Sequence, residues 1–446
     1  MEEQPQAFDA KQLERAKKRQ RSRSPVGGDQ QVRKPKRPGQ RARITDAERE
    51  AIRQRAIERE RQAQEQADRE RRAEINDVVR SHYNAVPERG REWRTTDSTI
   101  KGLRSFNNWI KSCIIQKFSP DEEFALGHRD RSSANELLVL DIGCGKGGDL
   151  GKWQQAPQKV QLYVGLDPAD VSIAQARERY LQMGRGGGGR GGRGGHHRRP
   201  PPRVFDARFH VKDCYSSSIA DVNIVSEVGF DSNPLKRNGF DVVSMMFCMH
   251  YAFESEQKAR IMLQNVASAL KKGGRFIGCI PNSDVIGQKV REFNEEREKK
   301  AAEAEKTGKE NDPSAEDGEV EEGEAEPTAS WGNSIYRVRF PGETPDDGVF
   351  RPPYGWKYNF FLNEAVEEVP EYVVPWHAFR ALAEDYNLEL QYHKTFKEIY
   401  ESEKDDEVLG PLSERMKVRD RDGTLLVSPE EMEAASFYVG FCFYKV

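Results

Sequence analysis

Between Leu137 and Trp153 the chain reads LLVLDIGCGKGGDLGKW, and few folds accommodate such a stretch. Apolar residues lead into Asp141, and Gly143, Gly145, Gly147 and Gly148 follow before a segment able to start a helix. The order is strand, tight turn, helix, the opening unit of an open parallel sheet. Glycines serve there because a ligand can lie against the backbone only where no Cβ intervenes, while the free N–H groups of the helix start face it.

The spacing of Gly143, Gly145 and Gly148 satisfies G-x-G-x-x-G, the fingerprint of dinucleotide binding. Asp141 stands two positions before the first glycine. A carboxylate there suits the cationic amino-acid half of S-adenosylmethionine (AdoMet) better than a pyrophosphate, which it would repel. A second acid, Asp167 in VQLYVGLDPAD, closes the next apolar run where a ribose-binding carboxylate is expected. AdoMet, NAD and a purely structural turn all remain readings of these residues.

Further matches lie in order along the chain: HYN at His82 to Asn84, LRSFNNWIKS, FDVVSMMFCMHYAFESE, GGRFIGCIPNS, WGNSIYRVRF, VPEYVV and SFYVGFCFYKV. With GCGKGGDLGKW they resemble the eukaryotic mRNA cap guanine-N7 methyltransferases, from about residue 82 to the last residue and across two insertions. The resemblance implies AdoMet as cofactor, the 5′-capped end of nascent RNA as substrate, and a nuclear enzyme. It also implies an RNA polymerase II tail or a capping guanylyltransferase as possible partners. Two rivals stand against it. One is an NAD-dependent dehydrogenase, for which no hydride-transfer constellation is recognisable; the other is a non-catalytic RNA-binding protein.

Of the 446 residues, 33% are charged and only 36% hydrophobic, below the roughly 45–50% of ordinary globular chains. Much of the chain is therefore expected to stay unfolded. From Met1 to Arg43 there are 13 Lys/Arg against 5 Asp/Glu, a balance of +8, and from Glu295 to Glu326 there are 14 Asp/Glu against 5 Lys/Arg, a balance of −9. The run MGRGGGGRGGRGGHHRRPPP is wholly basic. The expected organisation is a disordered basic arm over 1–73 and a catalytic domain over 74–446. Within that domain, disordered insertions are expected at 183–202 and 295–328. KKRQRSRS and RKPKRP in the arm resemble nuclear localisation signals or nonspecific nucleic-acid tails. No apolar run approaches the roughly 18 residues needed to span a bilayer, so a soluble intracellular protein is expected. Six scattered cysteines without C-x-x-C spacing read as reduced, mostly buried thiols and imply no metal site.

Strands are expected in VQLYVGL, VFDARFHVKD, FDVVSMMF and RFIGCIP, alternating with helices, of which one begins under an Asp170 cap and another ends at Gly273. That alternation predicts an α/β fold with a mostly parallel, doubly wound sheet, and the later strand-like segments predict antiparallel strands capping the pocket. VPEYVVPWHAFRALAEDY reads as a turn and a helix. Ile100, Leu103, Phe106, Trp109, Ile110 and Ile114 recur at three- and four-residue intervals, the signature of an amphipathic helix.

For AdoMet the resemblance implies Lys111, Gly143, Asp167, Asp213, Tyr251 and the position of Met246; the charge argument adds Asp141. Met246 stands where several family members carry Gln, and a thioether donates no hydrogen bond. For the cap it implies Asn107, Asn108, Lys146, Lys152, Arg179, His250, Glu371 and Tyr438. The cations suit a triphosphate, and Glu371 suits guanine N1–H and N2–H. Guanine N7 already has a lone pair and loses no proton on methylation, so no general base and no metal is required.

Overall fold

The structure is a computed structural model that describes residues 75–85, 93, 97–125, 135–184, 204–233, 238–308 and 328–446. The basic arm, most of the Gly/Arg run and residues 309–327 of the acidic insertion lie outside the described residues.

The first half alternates as its hydrophobic pattern dictates. Helices α1 (Ile75–Ala85), α2 (Lys101–Phe118) and the single turn α3 (Glu122–Ala125) precede β1 (Leu137–Ile142). Then follow α4 (Leu150–Gln154), β2 (Val160–Asp167), α5 (Asp170–Gly184), β3 (Asp206–Val211), α6 (Asn223–Val228) and β4 (Phe240–Met246). A 3₁₀ helix (Met249–Glu254), α7 (Glu256–Ala269), β5 (Leu270–Pro281) and α8 (Ser283–Gly308) complete this half.

β1 to β5 pair in parallel, and β11 (Tyr438–Lys445) runs antiparallel to both β5 and β10 (Leu388–Thr395). The order across the sheet is β10-β11-β5-β4-β1-β2-β3. Alternation along each strand builds a core on either face: Val139 joins the cluster under Phe106, Trp109 and Ile114 of α2, while Leu140 and Ile142 join the one under Met262, Leu263 and Val266 of α7. A second sheet of four antiparallel strands follows: β6 (Ser330–Gly332), β7 (Tyr336–Arg339), β8 (Lys357–Leu362) and β9 (Val366–Tyr372). The remaining helices are α9 (Trp376–Glu384), α10 (Phe396–Glu403), α11 (Leu409–Arg415) and α12 (Pro429–Ala435). The doubly wound parallel sheet with added antiparallel strands is the architecture that the sequence pattern predicts.

Four local expectations are corrected. α8 continues to Gly308, fourteen residues into the stretch expected to be an unfolded loop. EEREKKAAEAEK is made of strong helix formers, and a helix already nucleated on Ile286 and Val290 needs no further apolar face to propagate. Asp170 is the first helical residue of α5 rather than its cap, and its carboxylate accepts a bond from Asn84 Nδ2 at 2.8 Å. α7 ends at Ala269, and Gly273, at φ +80°, is part of the β5 segment. VPEY is the end of β9, not a turn, which fixes Glu371 on a strand opposite Tyr358.

Candidate active site

The sheet order reverses between β1 and β4, and the carboxyl ends of β1, β2 and β4 open there into a cavity of about 410 Å³. Its floor is the glycine turn. Gly143 and Gly145 have φ of +71° and +50°, so each needs the freedom that only glycine offers without strain. A Cβ on Gly143 would stand 2.6 Å from Cys248 Sγ, whereas one on Gly145 would meet nothing within 4 Å. Gly145 is thus a stretch of bare backbone facing open space, as a ligand in van der Waals contact with the chain requires. Asp167 Oδ2 accepts Gly145 N–H at 2.9 Å and Oδ1 accepts Ala169 N–H at 2.8 Å, so the β2 carboxylate is fixed at the rim. Burial raises its carboxyl above the usual range, with those two N–H bonds opposing the shift.

Lys111, Gly143, Asp167, Met246 and Tyr251 line this cavity, as do Lys146 and Arg179. Lys111 reaches it from α2, its Nζ 2.7 Å from Asp149 Oδ1 and 5.9 Å from the Phe247 ring centroid. Lys152 Nζ lies 2.7 Å from the same oxygen and donates to Asn108 Oδ1 at 2.8 Å. Burial alone would raise the Asp149 carboxyl, but the two ammonium charges outweigh it and hold it well below the ordinary range. The same three-way contact divides the lysines. Burial pulls both ammonium groups down, yet Asp149 lifts Lys111 above its ordinary value, while Lys152, repelled by Lys111, stays below. Asp149 lines the cavity and was missed in the sequence; its place at the end of GKGGD was the available signal.

Asp141 is corrected. It is buried under the turn, not in the cavity wall, and accepts Tyr163 O–H at 2.6 Å. Burial, reinforced by the Asp149 charge, pushes its carboxyl up to about 7. Strand alternation explains the error, because a residue at the end of a central strand points into a face of the sheet and not along its axis. Asp213 closes β3 at a turn. Its Oδ1 accepts Tyr215 N–H at 2.8 Å and Ser216 N–H at 3.2 Å, a turn that delivers Tyr215, not Asp213, to the cavity wall.

Tyr83 and Tyr251 close one side, their hydroxyl oxygens 3.3 Å apart. Beyond Tyr251 a second group begins. The His250 ring lies 4.3 Å from that of Tyr251, and His250 Nε2 lies 3.4 Å from Glu371 Oε1. Tyr358 O–H donates to Glu371 Oε2 at 2.8 Å. His250 is 2% exposed and neither of its ring nitrogens has a hydrogen-bond partner within the chain. Tyr438 stands edge-on to Phe247 at 4.9 Å. Among the residues expected at the cap, Asn107, Asn108, Lys152, His250, Glu371 and Tyr438 are absent from the cavity lining; Asn108 and Lys152 join Lys111 through Asp149, and His250, Glu371 and Tyr438 lie against its Tyr251 and Phe247 wall. Asn107 Oδ1 is buried without a partner. Tyr358, which sequence pattern did not single out, completes the Glu371 cluster. All six cysteines are buried and unpaired.

The glycine cradle, a carboxylate at the second strand tip and an ammonium at the far end together match the nucleoside and amino-acid ends of AdoMet. Residues 66–306 and 315–446 match the mRNA (guanine-N(7))-methyltransferase domain family. This chain belongs to that family. It is 69% identical over 446 aligned residues to the mRNA cap guanine-N(7) methyltransferase of Pyricularia oryzae, covering 98% of this chain and 91% of that one. To the enzyme of the same name in Aspergillus clavatus it is 58% identical, covering 95% and 79%. To that of Schizosaccharomyces pombe it is 44% identical, covering 83% and 82%. The chain is thus an AdoMet-dependent enzyme that methylates N7 of the guanosine cap of mRNA, and the dehydrogenase and non-catalytic readings fall away.

Proposed function

We propose that the two groups of residues divide this reaction between them. The Gly143–Gly145 turn would carry AdoMet, with Asp167 holding its ribose, Lys111 meeting its carboxylate, and Tyr251 and Met246 flanking its sulfonium. When bound, it supplies an electrophilic methyl group. The cap guanine faces Glu371, whose carboxylate accepts N1–H and N2–H and so rejects adenine, which presents no such pair of donors at those positions. His250, with unpartnered nitrogens, faces the same base. Lys146, Lys152 and Arg179 offset the triphosphate charge. Tyr438 and Phe247 shape the wall that separates the two ligands. No residue has to take a proton, since N7 gains a carbon and loses nothing. The chain contributes orientation and exclusion of water, which brings N7, methyl and sulfur into line.

The observation that carries this reading is the buried Glu371 beside His250, one ring away from the cavity wall at Tyr251. Incubating the full chain with GpppA-capped RNA and methyl-labelled AdoMet tests it. Label is expected in 7-methylguanosine after nuclease digestion. Glu371→Ala is expected to weaken cap binding by roughly 1 to 3 kcal/mol with AdoMet affinity nearly unchanged. Equal loss of both ligands, or unchanged turnover, would sink the assignment of Glu371.

The arm supports a finer reading. Its excess of Lys/Arg suits attraction to RNA phosphates and to an import receptor, which favours work in the nucleus on nascent transcripts. Docking to the polymerase tail or to a capping guanylyltransferase belongs to the same reading.

A further inference from the structure

The β8–β9 hairpin serves both ligand groups. Its second strand carries Glu371, and its tip brings Glu364 and Ala365 into the wall of the AdoMet cavity. Glu364 adopts the left-handed conformation, φ +62°, which a glutamate rarely holds without compensating bonds. The compensation is specific. Oε2 accepts Ser98 O–H at 2.6 Å, and Oε1 accepts both Thr99 N–H and Thr99 O–H at 2.9 Å. Arg104 Nη2 donates to the Glu364 carbonyl at 3.3 Å and lies 3.8 Å from Oε2. Asn363 adds a bond to Thr99 Oγ1 at 3.2 Å. These contacts land on Ser98 and Thr99, which lead into α2, and on Arg104 in its first turn; α2 carries Asn107, Asn108 and Lys111. Although burial works against the charge, the Ser98 and Thr99 bonds and Arg104 hold the Glu364 carboxyl below its ordinary range. The carboxylate is therefore an ionised tie between two elements that each serve a different ligand.

We propose that Glu364 is a positioning residue that couples the two ligands: it locks the sheet reading the cap to the helix meeting the AdoMet carboxylate, so that filling either site organises the other. The proposal rests on the roles of Glu371 and Lys111 given above. A second glutamate supplies the control. Glu431, from α12, accepts Leu103 N–H at 3.0 Å with one oxygen and Ser428 N–H at 2.9 Å with the other. It grips the same helix start and contacts neither ligand group.

The test measures affinity of the full chain for GpppG by calorimetry, with and without saturating S-adenosylhomocysteine. The wild type is expected to bind GpppG at least about five-fold tighter with the second ligand present, and reciprocally, because such coupling is symmetric. In Glu364→Gln and Glu364→Ala the ratio, taken against each variant's own affinity for the single ligand, is expected to fall toward one. Ser98→Ala, a smaller cut in the same tie, is expected to give an intermediate ratio and serves if Glu364→Ala does not fold. Glu431→Gln is expected to lower the melting temperature and keep the wild-type ratio. A wild-type ratio of one overturns the proposal, as does a wild-type ratio in both Glu364→Gln and Ser98→Ala, or an equal loss in Glu431→Gln. In each of those cases both ligands still bind, and the catalytic reading stands. A wild-type chain that binds neither GpppG nor S-adenosylhomocysteine overturns that reading, and the proposal with it.

Discussion

Where β1 turns into α4, space for a ligand is made by backbone: glycines at positive φ, a bare edge at Gly145, a strand-tip carboxylate bonded to main-chain N–H. Where β8 pairs with β9, the group proposed to read the cap is built from side chains gathered from distant positions: His250 after β4, Tyr358 and Glu371 across a hairpin, Tyr438 at the start of the last strand. The first arrangement tolerates almost no change at a few consecutive positions. The second spreads its demands over nearly two hundred residues, and each side chain can be removed with a graded loss. In the proposed division, a cofactor shared by many enzymes is met by geometry of the chain, and a particular base by chemistry of individual side chains.

The comparison breaks first at Gly143. Gly143→Ala places a methyl group against Cys248 at a left-handed position, and strain and displacement together are expected to cost roughly 2 to 6 kcal/mol. Equilibrium titration should show AdoMet affinity falling at least thirty-fold with GpppG affinity, measured alone, far less affected. AdoMet binding within three-fold of wild type would mean that the turn is not the floor of the site.

Asp141 sharpens the comparison, since the structure makes it a support for the floor and not a contact. Its carboxyl is raised to about 7, so the folded chain binds a proton that the unfolded chain releases near pH 4. That contribution to stability is fully present below about pH 4 and is lost as pH rises through 7, on the order of 4 kcal/mol for a shift of roughly three pKa units. Asp141→Asn keeps an acceptor for Tyr163 and abolishes the titration. Its melting temperature is expected to exceed that of wild type at pH 8, the gap closing toward pH 5; superimposable curves would contradict the buried carboxyl.

The smallest effect is expected on the side-chain half. Tyr358→Phe removes one bond to Glu371 while the ring and the His250 contact stay, a loss of about 1 kcal/mol. Steady-state kinetics should show kcat/KM for capped RNA down about five-fold with KM for AdoMet unchanged. A shift in the AdoMet KM of similar size would erase the distinction between the halves.

The same contrast explains what could be read in the chain beforehand. The parallel sheet, the glycine turn, Asp167 and the α2 stripe were legible because each is a local pattern of period two or 3.6, or a run of glycines. Asp141 was misassigned because charge at a strand tip says nothing about which way the side chain leaves the pleat. Asp213 shows that a carboxylate closing a strand also serves as a turn former. Asp149 went unnoticed although it lies within the glycine motif, for its role appears only when Lys111 arrives from α2. Glu371, Tyr438 and His250 came from resemblance alone; nothing in their local spacing brings them together. Tyr358 was beyond both approaches, since only the register of β8 on β9 sets it against Glu371.

β11 follows every other strand of the large sheet in chain order, yet it lies between β5 and β10. As the polypeptide is made, β1 to β5 can assemble in sequence, but β5 then presents an unpaired row of N–H and C=O groups until β11 is available to cover it. Through that interval the growing chain holds a sticky edge, open to pairing with a neighbour or to shielding by a chaperone. Tyr438 enters with the strand that seals it. Placement of Tyr438 and burial of the sheet's vulnerable edge are thus one event, and a chain cut short before β11 is expected to keep that edge open.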